Sequence, residues 1–410
     1  MAMGNYSLFS VIGIEIEYML VDKATLNVRP QSDTILQALS RGELTNEVAL
    51  ENIAVSNELV MHVLEFKNNG PAPVSPDIVT HFKDAIQRLQ PLLEEQQLML
   101  LPTGAHPWMN PALETQRWPH GNREIYQQYD QIFNCHGHGW ANLQSMHVNL
   151  PFANDDEFNL LHNSIRLLLP LLPSVAASTP FLDGKLTGMQ DSRLYFYDKN
   201  QQRIPEITGL VVPEFVQSEA EYHRDILTPM YEAIRPYDPK GILQHEWLNS
   251  RGAIAKFEYG AIEIRLIDSQ ECVQADYAIA SAIVAILKHW VNHSHYFLDN
   301  PCDTAILAAL YQQSLHDGLD TPIESRELSR QWQLSRGVKT CRDVWAVLIE
   351  QVSADLDYPC QTALETILSQ GNLSQRMVRA CGNDISHHTL KRLYRQLGDC
   401  LLTNQQLHAL

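Results

Sequence analysis

Apolar and polar positions along the chain follow two periods. Short stretches in which apolar residues alternate with others, or run together between turn residues, predict strands over Val11–Val21, Leu59–Phe66, Leu98–Leu101, Leu143–Leu150 and Ala261–Ile267. Longer stretches with i, i+3, i+4 spacing predict helices. One opens at Ser75-Pro76-Asp77, with a capping serine and a proline at the first position, and carries Val79, Phe82, Ile86, Leu89 and Leu93. Two more cover Asp156–Leu172 and Gln274–Trp290. Asp299-Asn300-Pro301 then breaks the chain. Beyond it only helical spacing is found, over Thr340–Leu356, Gln361–Gln370 with Gly371 as its stop, and Ser386–Leu402. The pattern predicts an α+β body over residues 1–298 and a helical section over 299–410, with no internal repeat.

Four of the predicted strand regions share a grammar in which one face is apolar and the other carries chemistry. In Gly13-Ile14-Glu15-Ile16-Glu17-Tyr18-Met19-Leu20, Glu15 and Glu17 point to the same side, about 6.6 Å apart at ~3.3 Å per residue. Carboxylates that close repel by about 2.5 kcal/mol at an effective dielectric near 20, so a cation is expected between them. A lone Glu-x-Glu also suits a solvated strand face, but the grammar recurs. Ser145, His147 and Asn149 oppose Met146, Val148 and Leu150, Glu263 and Arg265 share a face of Ala261–Ile267, and Glu65 sits in the apolar run Val63-Leu64-Glu65-Phe66. Glu58, seven residues before Glu65, has the opposite parity and needs a bulge or bend to join it. A sheet lining a polar pocket is the expected arrangement. Hard oxygen ligands with an imidazole suit Mg²⁺ or Mn²⁺, and an arginine beside them suits a substrate with anionic oxygens such as a nucleoside triphosphate.

Composition narrows the class of partner. Thirty Lys+Arg against 48 Asp+Glu give a net charge of -18, which disfavours sequence-independent nucleic-acid binding. The acidity is concentrated: residues 1–300 carry 20 basic and 36 acidic side chains, residues 301–410 carry 10 and 12. The apolar stretches are too short or too broken for a membrane span, and Met-Ala-Met-Gly-Asn-Tyr lacks the features of a signal peptide. Seven scattered cysteines without a Cys-x-x-Cys pair point to a reducing cytoplasm.

The segments taken together resemble the glutamate-cysteine ligase families, specifically the type 2 carboxylate-amine ligases that share the glutamine synthetase catalytic sheet. Gly13-x-Glu15-x-Glu17 resembles the first-strand motif, and Glu58 with Glu65 the second acidic pair. Gly104-Ala105-His106-Pro107 is similar to the Gly-x-His-Pro turn. Ser178-Thr179-Pro180-Phe181, Thr187-Gly188 and Ser192-Arg193 are similar to the Ser-Ser-Pro-Phe... Thr-Gly... Ser-Arg signature, and Glu263-Ile264-Arg265 to the last-strand Glu-x-Arg. His147-Val148-Asn149-Leu150 departs from the His-Val-His-Val usual in the type 2 group, so the resemblance does not carry the identity of the amine.

The resemblance implies a glutamine synthetase-like fold with a mainly antiparallel sheet flanked by helices. It implies an ATP- and Mg²⁺- (or Mn²⁺-) dependent ligase that joins glutamate or a similar acid to an amine such as cysteine through an acyl phosphate, the chemistry of glutathione biosynthesis. Glu15, Glu17, Glu58, Glu65, His147 and Glu263 are then the expected metal ligands. Arg265 and Arg251 are expected to stabilise the transferring phosphoryl group. Arg193 is expected to bind a substrate carboxylate, unless it pairs with Asp191 or Asp198, and Asn149 to contact substrate. A small-molecule phosphotransferase of the same superfamily is the rival reading. A non-catalytic regulatory relative is disfavoured, because nothing would keep mutually repelling carboxylates together.

Other features are expected to be bland. Cys135-His136-Gly137-His138-Gly139 lacks zinc-site spacing and reads as a loop near the site. Arg376, Arg379, Lys391, Arg392 and Arg395 read as a solvated face or partner contact. The section after Leu298 is the expected place for any contact in a homo-oligomer.

Overall fold

The computed structural model describes residues 6–293 and 296–408, so the first five residues of the segment read for a signal peptide lie outside it. Its centre is an eight-stranded antiparallel sheet built from β1 (Gly13–Asp22), β2 (Glu47–Leu50), β3 (Ile53–Asn57), β4 (Val63–Asn68), β5 (Leu98–Leu101), β6 (Ser145–Pro151), β9 (Ala253–Lys256) and β10 (Ala261–Asp268). A separate hairpin joins β7 (Phe181–Leu182) to β8 (Lys185–Leu186). The order is β2-β3-β4-β1-β6-β10-β9, with β5 pairing the far end of β1.

Three strands of the central sheet, β2, β3 and β9, have no counterpart in the sequence pattern, and neither does the hairpin β7–β8. Each of the three is four or five residues long, and their alanines carry little strand preference. The run Leu59–Phe66 is a turn followed by β4, not one strand.

Alternation gives the sheet two unlike faces. Ile14, Ile16, Tyr18, Leu64, Phe66, Met146, Val148, Ile262 and Ile264 are all buried on the helix-covered side, where Tyr18 and Phe66 meet edge to face at 5.5 Å. Helices Asp77–Glu95, Asp155–Leu168 and Val273–His293 belong to the same core. Val273–His293 is apolar nearly all round because it lies between body and tail, packing on Tyr358–Gln370 as well as on the body helices. The last two helices, Leu373–Cys381 and His387–Thr403, form a second core with Met19, Val21 and Leu101, so they brace β1 and β5 from one end.

Arg376 departs from the expected solvated face. It is fully buried and ion-paired with Glu271, which also accepts the Leu407 N–H at 3.1 Å, so the chain end is tied to the segment after β10.

The turn after β5 is fixed by His106, whose Nε2 donates to Leu26 O at 2.7 Å while Nδ1 accepts the Met109 N–H at 2.9 Å. Those bonds require the neutral ring. Burial pushes its pKa down from 6.5 to about 4, against the opposing bond to Leu26. Below the unfolded value the unfolded chain therefore binds the extra proton, so stability is full above about pH 6.5 and is lost as pH falls toward 4. Urea unfolding at about pH 5 should show about 2 kcal/mol less stability from this residue than at neutral pH. A His106→Gln variant that loses as much stability on acidification as the wild type would assign the loss elsewhere.

Candidate active site

Register brings the polar face together. Across β1 and β4, Glu17 lies opposite Glu65; across β1 and β6, Glu15 lies opposite His147; across β6 and β10, Asn149 lies opposite Glu263. Glu58 arrives differently. It follows the last residue of β3, and the turn that replaces the expected continuous strand supplies the bend its parity demanded.

Two carboxylate groupings result. One ligand atom each from Glu15, Glu65 and His147 lie within 4.8 Å of one another, and so do one each from Glu17, Glu58 and Glu65. Glu65 is common to both. Ser56 Oγ donates to its Oε1 at 2.9 Å and Lys67 Nζ at 3.0 Å, leaving the second oxygen to the cavity. Glu17 Oε2 accepts the Ser145 N–H at 2.7 Å, Asn149 Nδ2 donates to Glu15 Oε1 at 3.1 Å, and His147 Nδ1 lies 3.2 Å from Glu15 Oε2. Asn149 thus steadies a carboxylate as well as lining the sheet face.

The electrostatics divide the cluster. Burial, then Glu65 and Glu17, raise Glu58 well above the usual carboxylate range, and burial together with Glu65 raises Glu17. That end is short of positive charge, and a divalent cation bound by hard oxygens fits the deficit. The other end is already neutralised. Burial opposes ionisation of Glu263, but Lys256 and Arg265 outweigh it and hold the carboxyl far below its ordinary value. Its oxygens are taken by Lys256 Nζ and by Arg265 Nε at 2.5 Å.

Not every expected residue lies where the sequence reading put it. Glu263 falls outside both metal-type groupings among the described residues, because its two oxygens hold cationic side chains. Arg251 is a correction. Its guanidinium grips Glu214 at 2.6 and 2.7 Å and also donates to Glu206 O at 3.2 Å and Asn249 Oδ1 at 3.2 Å, a buried clamp that does not line the cavity. Arg193 does line the cavity, from the short helix Ser192–Tyr197, but its ion partner is Asp268. The expected alternatives are engaged elsewhere: Asp191 accepts the Leu194 N–H at 2.8 Å and Asp198 the Tyr311 hydroxyl at 2.8 Å.

Asp268 and Lys256 were missed for identifiable reasons. Between Ile264 and Ile267 the β6–β10 register shifts, and the bulge inverts parity, so Asp268 opposite Ser145 shares a face with Glu263 opposite Asn149. Lys256 lies at the end of unpredicted β9, and the αL turn at Gly260 (φ +63°) returns the chain into β10. Among the described residues, the Cys135–Gly139 segment takes part in no metal-type grouping. His138 Nε2 meets Asp183 at 3.2 Å, and Trp140 just beyond it lines the cavity.

Above the sheet lies a cavity of about 450 Å³. Helix Arg123–Phe133 and the short helical turns His138–Ala141 and Glu246–Leu248 roof it with Tyr126, Tyr129, Trp140 and Trp247. A second cavity of about 470 Å³ shares Glu15 and Lys256 with the first and is otherwise lined by Lys67, Asn68, Asn69 and Tyr259 among others.

The same fold occurs in the glutamate–cysteine ligase of Francisella tularensis, solved in complex with AMP. That structure superposes with a TM-score of 0.64 at 13% identity, covering 98% of this chain and 90% of that one. A bifunctional glutathione synthetase of Pasteurella multocida superposes at 0.57 and 11% identity, over 94% of this chain and 52% of that one. These likenesses define a glutamine synthetase-like ligase fold. The model of glutamate-cysteine ligase family 2 matches residues 11–396, and the chain belongs to that family, among carboxylate–amine ligases of the glutamate–cysteine ligase type. An uncharacterised protein of Archaeoglobus fulgidus is 39% identical over 280 residues, 68% of this chain and 74% of its own. A protein of Corynebacterium glutamicum provisionally named glutamate–cysteine ligase 2 is 25% identical over 295 residues, 70% and 68% of the two chains. No helix among the described residues is long and apolar enough to cross a membrane.

Proposed function

We propose that this protein uses ATP to activate the side-chain carboxylate of glutamate or a similar acid and joins it to an amine. The observation that carries the reading is the meeting of two cavities at Glu15 and Lys256, beside two carboxylate groupings that share Glu65. The second cavity, with its two lysines and paired asparagines, would take the nucleotide, and the roofed cavity the acid and amine. Magnesium or manganese held by Glu15, Glu65 and His147 and by Glu17, Glu58 and Glu65 would supply charge neutralisation at the phosphates.

The chain's own groups do the rest. Lys256 and Arg265, fixed on Glu263, face the oxygens on which charge develops as the acid's carboxylate attacks the terminal phosphorus and ADP departs. Arg193, fixed on Asp268, takes the acid's α-carboxylate. The aromatic roof keeps water from the acyl phosphate. The neutral amine then attacks the acyl carbon, the C–N bond forms as the C–O bond to phosphate breaks, and the amine's proton leaves with the phosphate. Seven buried, unpaired cysteines suit the cytoplasm in which we place this reaction.

A matrix of amino-acid donors against amines, assayed for ADP release with mass spectrometry of the product, tests the reading. ADP release should need both partners and yield an amide. Turnover that needs the acid alone and gives a stable phosphorylated product would favour the phosphotransferase instead.

A further inference from the structure

The roof helix Arg123–Phe133 has a second face. From its N-cap onward, Asn122, Ile125, Tyr126 and Tyr129 follow the i, i+3, i+4, i+7 spacing and line the roofed cavity, whereas Arg123 and Gln127 line a separate cavity of about 320 Å³. Its other walls are Thr115, Arg117, Trp118, Pro119 and His136. That lining holds two arginines and a histidine and no carboxylate, in a stretch of chain, residues 1–300, with 36 acidic side chains against 20 basic ones. The acid that reaches these cations is Asp130, which pairs with Arg117 at 3.3 Å and lies 3.9 Å from His136 Nε2. Among the described residues the Arg123 guanidinium has neither a hydrogen bond nor an ion pair. One carboxylate thus stands against two guanidinium groups, and the cavity keeps an excess of positive charge even with the imidazole neutral. A cleft lined by one sign of charge collects ions of the other, and guanidinium forks match carboxylate or phosphate oxygens two at a time.

Both walls of this cavity lead to the candidate active site. The Met61 N–H donates to Gln116 O at 2.8 Å and the Trp118 N–H to Leu59 O at 2.9 Å, so Arg117 stands opposite Val60, two residues past Glu58. Glu58, Leu59 and Val60 line the roofed cavity. Arg117 then crosses to the roof helix, where Nη1 donates to Tyr126 O at 3.4 Å and Nη2 meets Asp130. The helix is bounded by asparagines in the left-handed region, Asn122 at φ +68° and Asn134 at φ +59°, and no side chain caps its first turn. Its position therefore depends on ties of this kind.

We propose that this cavity is an effector site for a small molecule with two anionic groups, carboxylate or phosphate, one on Arg117 and one on Arg123. Bridging the two arginines fastens the roof helix to the segment paired with the Glu58 turn and presets Tyr126 and Tyr129 over the roofed cavity. A ligand that fixes the roof strengthens the binding of substrate beneath it, and substrate strengthens the ligand by the same factor.

Calorimetric titration of the full chain without nucleotide tests the site, with succinate as the dicarboxylate, 3-phosphoglycerate as the phosphate-bearing probe and acetate as the single-charge control. At least one dianion should bind about tenfold or more tightly than acetate, and Arg123→Gln should weaken it by about tenfold or more. Failure of both dianions to bind, or binding that survives Arg123→Gln, overturns the site. In the assay of ADP release, the better dianion should lower the KM for the donor acid by about fivefold in the wild type and leave it unchanged in Arg123→Gln. Without the dianion, that variant should turn over like the wild type. Binding with an unchanged or raised KM in the wild type overturns the effector role. Absence of ADP release with every donor and amine removes the ligase reading alone, since the titration needs no turnover to decide the site.

Discussion

Replacing Glu65 by glutamine should reduce Mg²⁺-dependent ATP turnover by roughly three orders of magnitude or more while leaving the fold in place. The residue is common to both carboxylate groupings, so one substitution removes a ligand from each. Its neighbours are spared. Ser56 Oγ and Lys67 Nζ both donate to Oε1, and a glutamine keeps an oxygen there. What disappears is a negative charge facing Glu17 and Glu58, both of which are already held above their ordinary pKa by burial and by Glu65 itself. Without metal the variant should therefore unfold at the same temperature as the wild type or higher, since a repulsion has been relieved. With metal the order reverses. An ion that binds only the folded state raises the wild-type melting temperature as its concentration rises, and the variant should lose most of that gain. Wild-type turnover in Glu65→Gln, or an undiminished melting gain with Mg²⁺, would remove the metal sites from the account.

How much of this was legible beforehand follows from the spacing of the residues involved. Glu15, Glu17, Glu65, His147, Asn149, Glu263 and Arg265 alternate with buried aliphatic residues on strands long enough to show a period of two, and the structure places them on one face. The α+β body was legible for the same reason, whereas the antiparallel pairing of its sheet was implied only by the resemblance to the glutamate-cysteine ligases. Glu58 could be flagged but not placed, because a turn and not the strand period decides where it points. Asp268 was hidden by a bulge, which no alternation rule anticipates, and Lys256 by a four-residue strand. Arg251 misled because its local sequence, Asn249-Ser250-Arg251-Gly252, says nothing of Glu214, its partner 37 residues upstream. The aromatic roof lay outside the strand grammar altogether. Its members come from one longer helix and two short helical turns, and only tertiary packing brings Tyr129, Trp140 and Trp247 to one surface.

The bulge that hid Asp268 also gives it a large predicted effect. Its carboxylate is fully buried. Oδ2 accepts the Ser178 N–H at 2.8 Å and the Thr179 hydroxyl at 3.1 Å, while Oδ1 is paired with Arg193 Nε. Gly104 lies so close that a Cβ there would stand 2.5 Å from the Asp268 carboxyl carbon, so the turn after β5 is shaped around this group. An asparagine has the same shape but must aim its NH₂ at one of these donors, either the Arg193 guanidinium or the Ser178 N–H. Asp268→Asn should accordingly destabilise the protein by about 3–5 kcal/mol, the usual result of leaving a buried charge without its partner. The kinetic consequence is separable. With the proposed role of Arg193 in seating the acid's α-carboxylate, the folded fraction should show a KM for the acid raised by about tenfold or more, with a smaller change in the KM for ATP. Arg193→Lys is the control. It keeps the charge beside Asp268 but gives up the planar two-point fork, so it should reproduce much of the KM effect at a lower cost in stability. Urea unfolding measures the first quantity and initial rates at varied acid the second. If Asp268→Asn lost stability yet kept the wild-type KM for the acid, Asp268 would be a structural anchor alone, and Arg193 would have to be taken out of the substrate site.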